Sequence, residues 1–129
     1  MRRTAALRSL IHETDLAPRN LIAPVFVKEG IAEPVPVASM PGQHQLTIEA
    51  LRKEAVEAVS LGVLGFMVFG IPANKDAEGS EAWNPEGIGQ RAISALRAEL
   101  GDDALVISDL CLDEYTDHGH CGVLTPDGD

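Results

Sequence analysis

Three apolar runs set the frame of this chain: Leu21-Ile-Ala-Pro-Val-Phe-Val27, Val63-Leu-Gly-Phe-Met-Val-Phe69 and Leu105-Val-Ile-Ser-Asp-Leu-Cys111. They begin at positions 21, 63 and 105, so a 42-residue interval separates each from the next. Each is continuous rather than alternating, the pattern of a strand covered on both faces in a parallel sheet. Parallel neighbours need a crossover of a dozen residues or more, usually a helix. The intervals supply one each. After the first run, Thr47 can cap a helix with Ala50 at its third position, and Leu51, Ala55, Val56, Ala58 and Val59 give it an apolar face before Gly62 stops it. After the second, Asn84 reads as a cap with Pro85 at the first helical position, and the helix runs to Gly101 through Ile88, Ala92, Ile93, Leu96 and Leu100. The segment from Arg3 to Glu13 reads as a further helix or an arm. The expected order is therefore an arm over residues 1–20, then β-α-β-α-β over 21–129 with right-handed crossovers.

The connections are unequal. Long segments leave the strands (28–45, 70–83 and 112 onward), whereas short ones (Gly62; Gly101-Asp-Asp103) lead from helix back to strand. Long loops on the strand-exit side mark the functional face of a (β/α)8 barrel or a doubly wound sheet. No Gly-x-Gly-x-x-Gly or Walker-type loop follows any strand, which weighs against a nucleotide. Three strands and two helices close neither a barrel nor a protected sheet. The fold expected is α/β, with the arm and the first three βα units of a barrel that this chain leaves incomplete.

At 129 residues the chain has room for one domain, and 45% hydrophobic content argues against disorder. Twenty acidic residues against ten basic ones give a net charge of −10, which argues against nucleic acid and anionic membrane surfaces. No apolar stretch approaches the roughly 20 residues of a membrane span. The start Met1-Arg-Arg lacks the pattern of a secretory signal. The expectation is a cytoplasmic protein.

Chemistry gathers between Asp109 and Gly122, at the exit of the third run. Both cysteines, two of the four histidines and four carboxylates fall within these fourteen positions. Cys111 and Asp113 sit two apart, so on an extended strand they point the same way, and Cys121 can fold back to them across a glycine-containing loop. Two cysteines ten residues apart, beside His and Asp, read better as ligands than as a disulfide. Two thiolates and a carboxylate or imidazole, with a position left open, make a zinc site. On pattern alone, a buried strand cysteine explains Cys111 equally well. His118 and His120 can ligate, orient a ligand or move protons, and each also reads as an ordinary loop histidine. Asp109 is an ionisable residue in an apolar strand, where burial costs several kcal/mol unless it is paired or protonated. Lys75, beside Asp76 in a polar loop, reads as solvated rather than as a Schiff-base amine.

Five ordered blocks of this sequence resemble the porphobilinogen synthase (5-aminolevulinic acid dehydratase) family: Asn20 to Val27, Ser39-Met-Pro-Gly42, Phe69-Gly-Ile-Pro72, Lys75 to Ala82 and, most specific, Asp109 to Gly122. The resemblance implies a TIM barrel with an N-terminal arm, assembled as a homo-octamer. The reaction it implies is condensation of two 5-aminolevulinate molecules to porphobilinogen, a lyase step toward haem and other tetrapyrroles. Residue by residue it puts Cys111, Asp113 and Cys121 on the catalytic zinc positions, Asp109 on the active-site aspartate and His120 beside the metal. The zinc-using branch carries Cys where this chain has Asp113. Members without this zinc carry carboxylates or other residues there and lean on magnesium, so the set here is a hybrid, with zinc expected at the site and magnesium elsewhere in the enzyme. The family's two Schiff-base lysines lie on later strands, outside these residues, so the chain alone is expected to be inactive. A different metal-dependent barrel hydrolase, or a non-catalytic metal-binding module, are the alternatives that the cluster itself leaves open.

Overall fold

The computed structural model describes residues 3–125. Helix α1 (Ala5–Leu10) is capped by the Thr4 hydroxyl, which accepts from the Leu7 N–H at 3.2 Å, and none of its residues is buried. The expected Arg3–Glu13 arm is thus a helix of only six residues followed by irregular chain and a 3-10 turn at Pro18–Asn20. Its apolar side chains Leu7, Leu10 and Ile11 are exposed.

Among the described residues five strands, β1 (Ile22–Lys28), β2 (Val35–Pro36), β3 (His44–Leu46), β4 (Gly65–Ile71) and β5 (Leu105–Ser108), form one sheet in the order β2-β3-β1-β4-β5. Strands β1, β4 and β5 are parallel neighbours, with Ile22 opposite Gly65 and Gly65 opposite Leu105. The crossovers are α2 (Ile48–Ser60) and α3 (Ile88–Leu100). The β-α-β-α-β order expected from the 42-residue spacing is present. The sequence did not announce β2 and β3, which lie inside the first long loop. They pair antiparallel with each other, and β3 lies parallel to the exit end of β1, with Val27 opposite Leu46.

Thr47 caps α2 as its spacing required, its hydroxyl accepting from the Ala50 N–H at 3.1 Å. Gly62, at φ 92°, turns the chain out of that helix in a region costly for any residue with a side chain. The second helix starts later than Asn84 and Pro85 suggest. Asn84 instead closes a turn, its Oδ1 accepting from the Glu86 N–H and its carbonyl from the Gly87 N–H, and Gly87 is the cap. A side chain on Gly87 would meet the carbonyl oxygens of Glu81 and Asn84 at 2.9 and 3.0 Å, so the turn before the helix leaves room for glycine alone at this cap.

The core lies on one side of the sheet. Val25 and Val27 of β1, with Phe66 and Val68 of β4, pack under Leu51 and Ala55 of α2 and Ala92 and Leu96 of α3. Ile22 and Leu105, by contrast, are exposed. Continuous apolar runs predict cover on both faces, and the described residues provide it on one. In a closed barrel the other face is filled by side chains of further strands. Arg52 of α2 joins Glu99 of α3 at 2.6 Å across the outer surface. No helix among the described residues is long and apolar enough to cross a membrane.

Candidate metal and active site

Strand β5 ends at Ser108, three residues before the expected Cys111. Asp109 and Cys111 therefore stand on the loop that leaves the sheet, not in a strand, and Leu110 between them is 94% exposed. Asp109 is half-buried, and its N–H reaches the Val68 carbonyl at 3.4 Å. It remains at the C-terminal end of the parallel strands, where barrels collect their chemistry.

The same-side relation of Cys111 and Asp113 arises from a turn rather than from strand alternation. The Tyr115 and Thr116 N–H groups both bond the Leu112 carbonyl, at 2.9 and 3.0 Å, which reverses the chain. Thr116 is 1% exposed, and its hydroxyl donates to the His120 carbonyl at 2.9 Å, bringing the return strand of the loop inward. The Cα atoms of Cys111 and Cys121 come to 5.5 Å, and the two sulfurs are joined as a disulfide. The pairing departs from the expectation of two free ligands: one loop reversal brings the sulfurs to bonding distance as readily as to a shared ion. One potential ligand atom each from Cys111, Asp113 and Cys121 lie within 4.8 Å of one another. In the reduced chain this set offers two soft thiolates and one carboxylate, and its donor chemistry fits zinc better than magnesium, which prefers an all-oxygen shell.

The histidines divide. The Nδ1 of His118 accepts from the His120 N–H at 3.1 Å, which leaves its Nε2–H to donate to the Ala77 carbonyl at 3.1 Å. Both ring nitrogens are engaged by backbone, so His118 braces the loop. The His120 ring lies 5.5 Å from the His118 ring and outside the converging donor set. Lys75 is exposed in the loop after β4, as its polar surroundings indicate.

Two functional candidates escaped the sequence reading. Glu114 lies within the same 4.8 Å limit of Asp109 and Asp113, and its Oε2 is buried without a hydrogen-bond partner. Burial, then the negative charges of Asp109 and Asp113, push its carboxyl up to about 7. Burial also raises the Tyr115 phenol, with Glu114 and Asp109 adding to it. No pattern marks Glu114, because its environment is made by the turn. A folded-state value above the unfolded one means that the folded chain binds the proton more tightly, so this group's contribution to stability declines as pH rises from about 4.5 to about 7. Glu114→Gln removes that loss. The metal-free variant is expected to melt above wild type at pH 8, with the difference shrinking toward pH 4.5. Melting curves across this range check it, and a constant difference at all pH values would contradict it.

Asp76 anchors the neighbouring loop. Its carboxylate accepts from the Ser80 hydroxyl and from the N–H groups of Glu78 and Ser80, which together lower its pKa, the hydroxyl most. Its carbonyl accepts from the Asp117 N–H at 3.1 Å, and Asp76 bridges Thr116 in parallel fashion. The loop after β4 thus supports the loop after β5. A cavity of about 270 Å³ opens beside this junction, lined in part by Asp109, Cys111, Tyr115, Gln90 and Trp83.

Comparison with known proteins identifies the family. The family model described as delta-aminolevulinic acid dehydratase matches residues 1–128. The delta-aminolevulinic acid dehydratases of Streptomyces coelicolor and Mycobacterium leprae are 53% and 50% identical, each over 99% of this chain. The chain spans 39% and 40% of their lengths. A crystal structure of the Toxoplasma gondii delta-aminolevulinic acid dehydratase (porphobilinogen synthase), in complex with the reaction product porphobilinogen, superposes with a TM-score of 0.90. It is 40% identical, and the match covers 99% of this chain and 37% of that one. The sheet and its two helices are accordingly part of a TIM barrel. The chain belongs to the delta-aminolevulinic acid dehydratase family.

Proposed function

We propose that the protein carrying this chain is a porphobilinogen synthase, a lyase that condenses two molecules of 5-aminolevulinate, and that these residues contribute its metal-binding loop and one active-site carboxylate. The observation that carries this reading is the convergence of Cys111, Asp113 and Cys121 beside Asp109, at the exit of a barrel strand in a chain of this family. Zinc is the ion assigned to the reduced Cys111/Asp113/Cys121 set, with magnesium acting elsewhere in the whole enzyme. When bound, zinc supplies Lewis-acid chemistry that polarises a carbonyl or acidifies a water. The chain's own residues hold and orient: Asp109 and the Glu114 carboxyl, which burial pushes up to about 7, stand together beside Asp113 of the donor set. His120 stands near the metal without ligating it. A homo-octamer in the cytoplasm is the assembly and location proposed for the whole enzyme.

The test is direct. The full-length protein, incubated with 5-aminolevulinate and zinc under reducing conditions, is expected to form porphobilinogen, detected by its colour reaction with an aromatic aldehyde. Asp109→Asn is expected to lower the turnover number by about 100-fold, the scale of losing a positioned acid–base or electrostatic group. Unchanged turnover in the variant would remove Asp109 from the site, and absence of product from the wild type would overturn the assignment.

A further inference from the structure

Tyr115 occupies a notch that exists because two residues lack side chains. A methyl group on Gly89, the second residue of α3, would stand 2.7 Å from the Tyr115 hydroxyl oxygen, and one on Gly70 of β4 would stand 2.6 Å from it. Glycine disfavours a helix relative to alanine, so its presence in the first turn of α3 is accounted for by the space that the hydroxyl takes. The flanking residues give this fit its consequence. Tyr115 lies in the turn closed on the Leu112 carbonyl, between Cys111 with Asp113 and the returning Cys121. Next to it, Thr116 is buried and bonds the His120 carbonyl, the residue before Cys121. Gly79 of the preceding loop packs on both, with its own would-be methyl 3.3 Å from Thr116 and 3.4 Å from Tyr115.

We propose that Tyr115 is a positioning residue for the metal loop: its aromatic ring, docked with the hydroxyl end in the Gly70–Gly89 notch, sets the reversal that returns Cys121 to Cys111 and Asp113. The part of this inference that concerns metal rests on the proposed metal site. The part that concerns loop geometry does not.

The geometry provides its own control. A methyl on Gly89 clashes with the Tyr115 oxygen but lies 3.9 Å from the ring carbon that bears it, an ordinary contact. Deleting the oxygen therefore relieves Gly89→Ala. It does not relieve Gly70→Ala, whose methyl would also meet the Gly89 Cα at 2.9 Å. Two readouts follow in the full-length protein. The first is titration of the reduced protein with cobalt(II), read by thiolate-to-cobalt absorption. The second needs no metal: the fraction of Cys111–Cys121 disulfide in a fixed glutathione buffer, where one glutathione disulfide oxidises the two thiols and leaves as two glutathione thiols.

Gly89→Ala is expected to weaken cobalt binding roughly tenfold, the lower end of the range for losing support behind a metal ligand, and to lower the disulfide fraction. Tyr115→Phe keeps the ring and should retain most of both readouts, and Gly89→Ala with Tyr115→Phe should return both to the Tyr115→Phe values. Gly89→Ala equal to wild type in both, or a double variant no better than Gly89→Ala, overturns the proposal. The second of those results would mean that the substitution acts by general destabilisation. Loss and rescue of the disulfide fraction, with no thiolate–cobalt band even in wild type, would uphold the positioning role and overturn the metal site instead.

Discussion

Replacing either Cys111 or Cys121 with serine in the full-length protein is expected to weaken zinc binding by more than roughly 100-fold, since loss of groups merely supporting a ligand costs 10–100-fold. Each substitution removes one of two soft donors from a set whose third member is a carboxylate. The remaining thiolate and Asp113 cannot compensate, because His118 is committed to the Ala77 carbonyl and the His120 N–H, and His120 lies outside the converging set. Asp113→Cys works in the opposite direction. It completes a three-thiolate set on the same turn and should tighten zinc. Metal analysis of each reduced protein after dialysis against a chelator series gives the comparison. Zinc content that is the same in wild type and both serine variants would place the ion elsewhere and leave Cys111 and Cys121 as a structural disulfide.

The turn that makes this site explains what could be read from sequence and what could not. The strands were legible because burial under α2 and α3 demands apolar residues at Val25, Val27, Phe66 and Val68, and these sit in uninterrupted apolar runs. Thr47 was legible because a cap acts on residues three positions away. The end of β5 was not. Leu110 and Cys111 continue the apolar composition, yet the chain has already left the sheet, and composition does not report pairing. The cysteine–carboxylate cluster was visible as a cluster, while the disulfide, the brace made by His118 and the burial of Glu114 all depend on the reversal at residues 112–116. Gly70 and Gly89 illustrate the limit most sharply. They lie on different elements, and they meet at the Tyr115 hydroxyl only because α3 packs over β4.

Reductive trapping with borohydride and labelled 5-aminolevulinate is expected to leave residues 1–129 unlabelled, both in the chain alone and within the full-length protein. A Schiff base needs a neutral amine held against the substrate carbonyl, which enzymes obtain by desolvating a lysine or setting it beside another cation. None of the three lysines here has that setting. Lys28, at the end of β1, donates to the Gln45 Oε1 at 3.1 Å. Lys53 projects from α2, 75% exposed and paired with Glu49 at 3.4 Å. Lys75 is exposed on the loop after β4, beside the Asp76 carboxylate that organises that loop. The loop after β5 meanwhile gathers four carboxylates and two sulfurs but no amine. In the porphobilinogen synthase proposed above, these residues supply the metal-binding loop and carboxylates, and the amine that captures substrate is expected outside them. Peptide mapping of the trapped full-length protein locates it. A stoichiometric adduct on Lys28, Lys53 or Lys75 would contradict this division of labour and would make this segment catalytic in its own right.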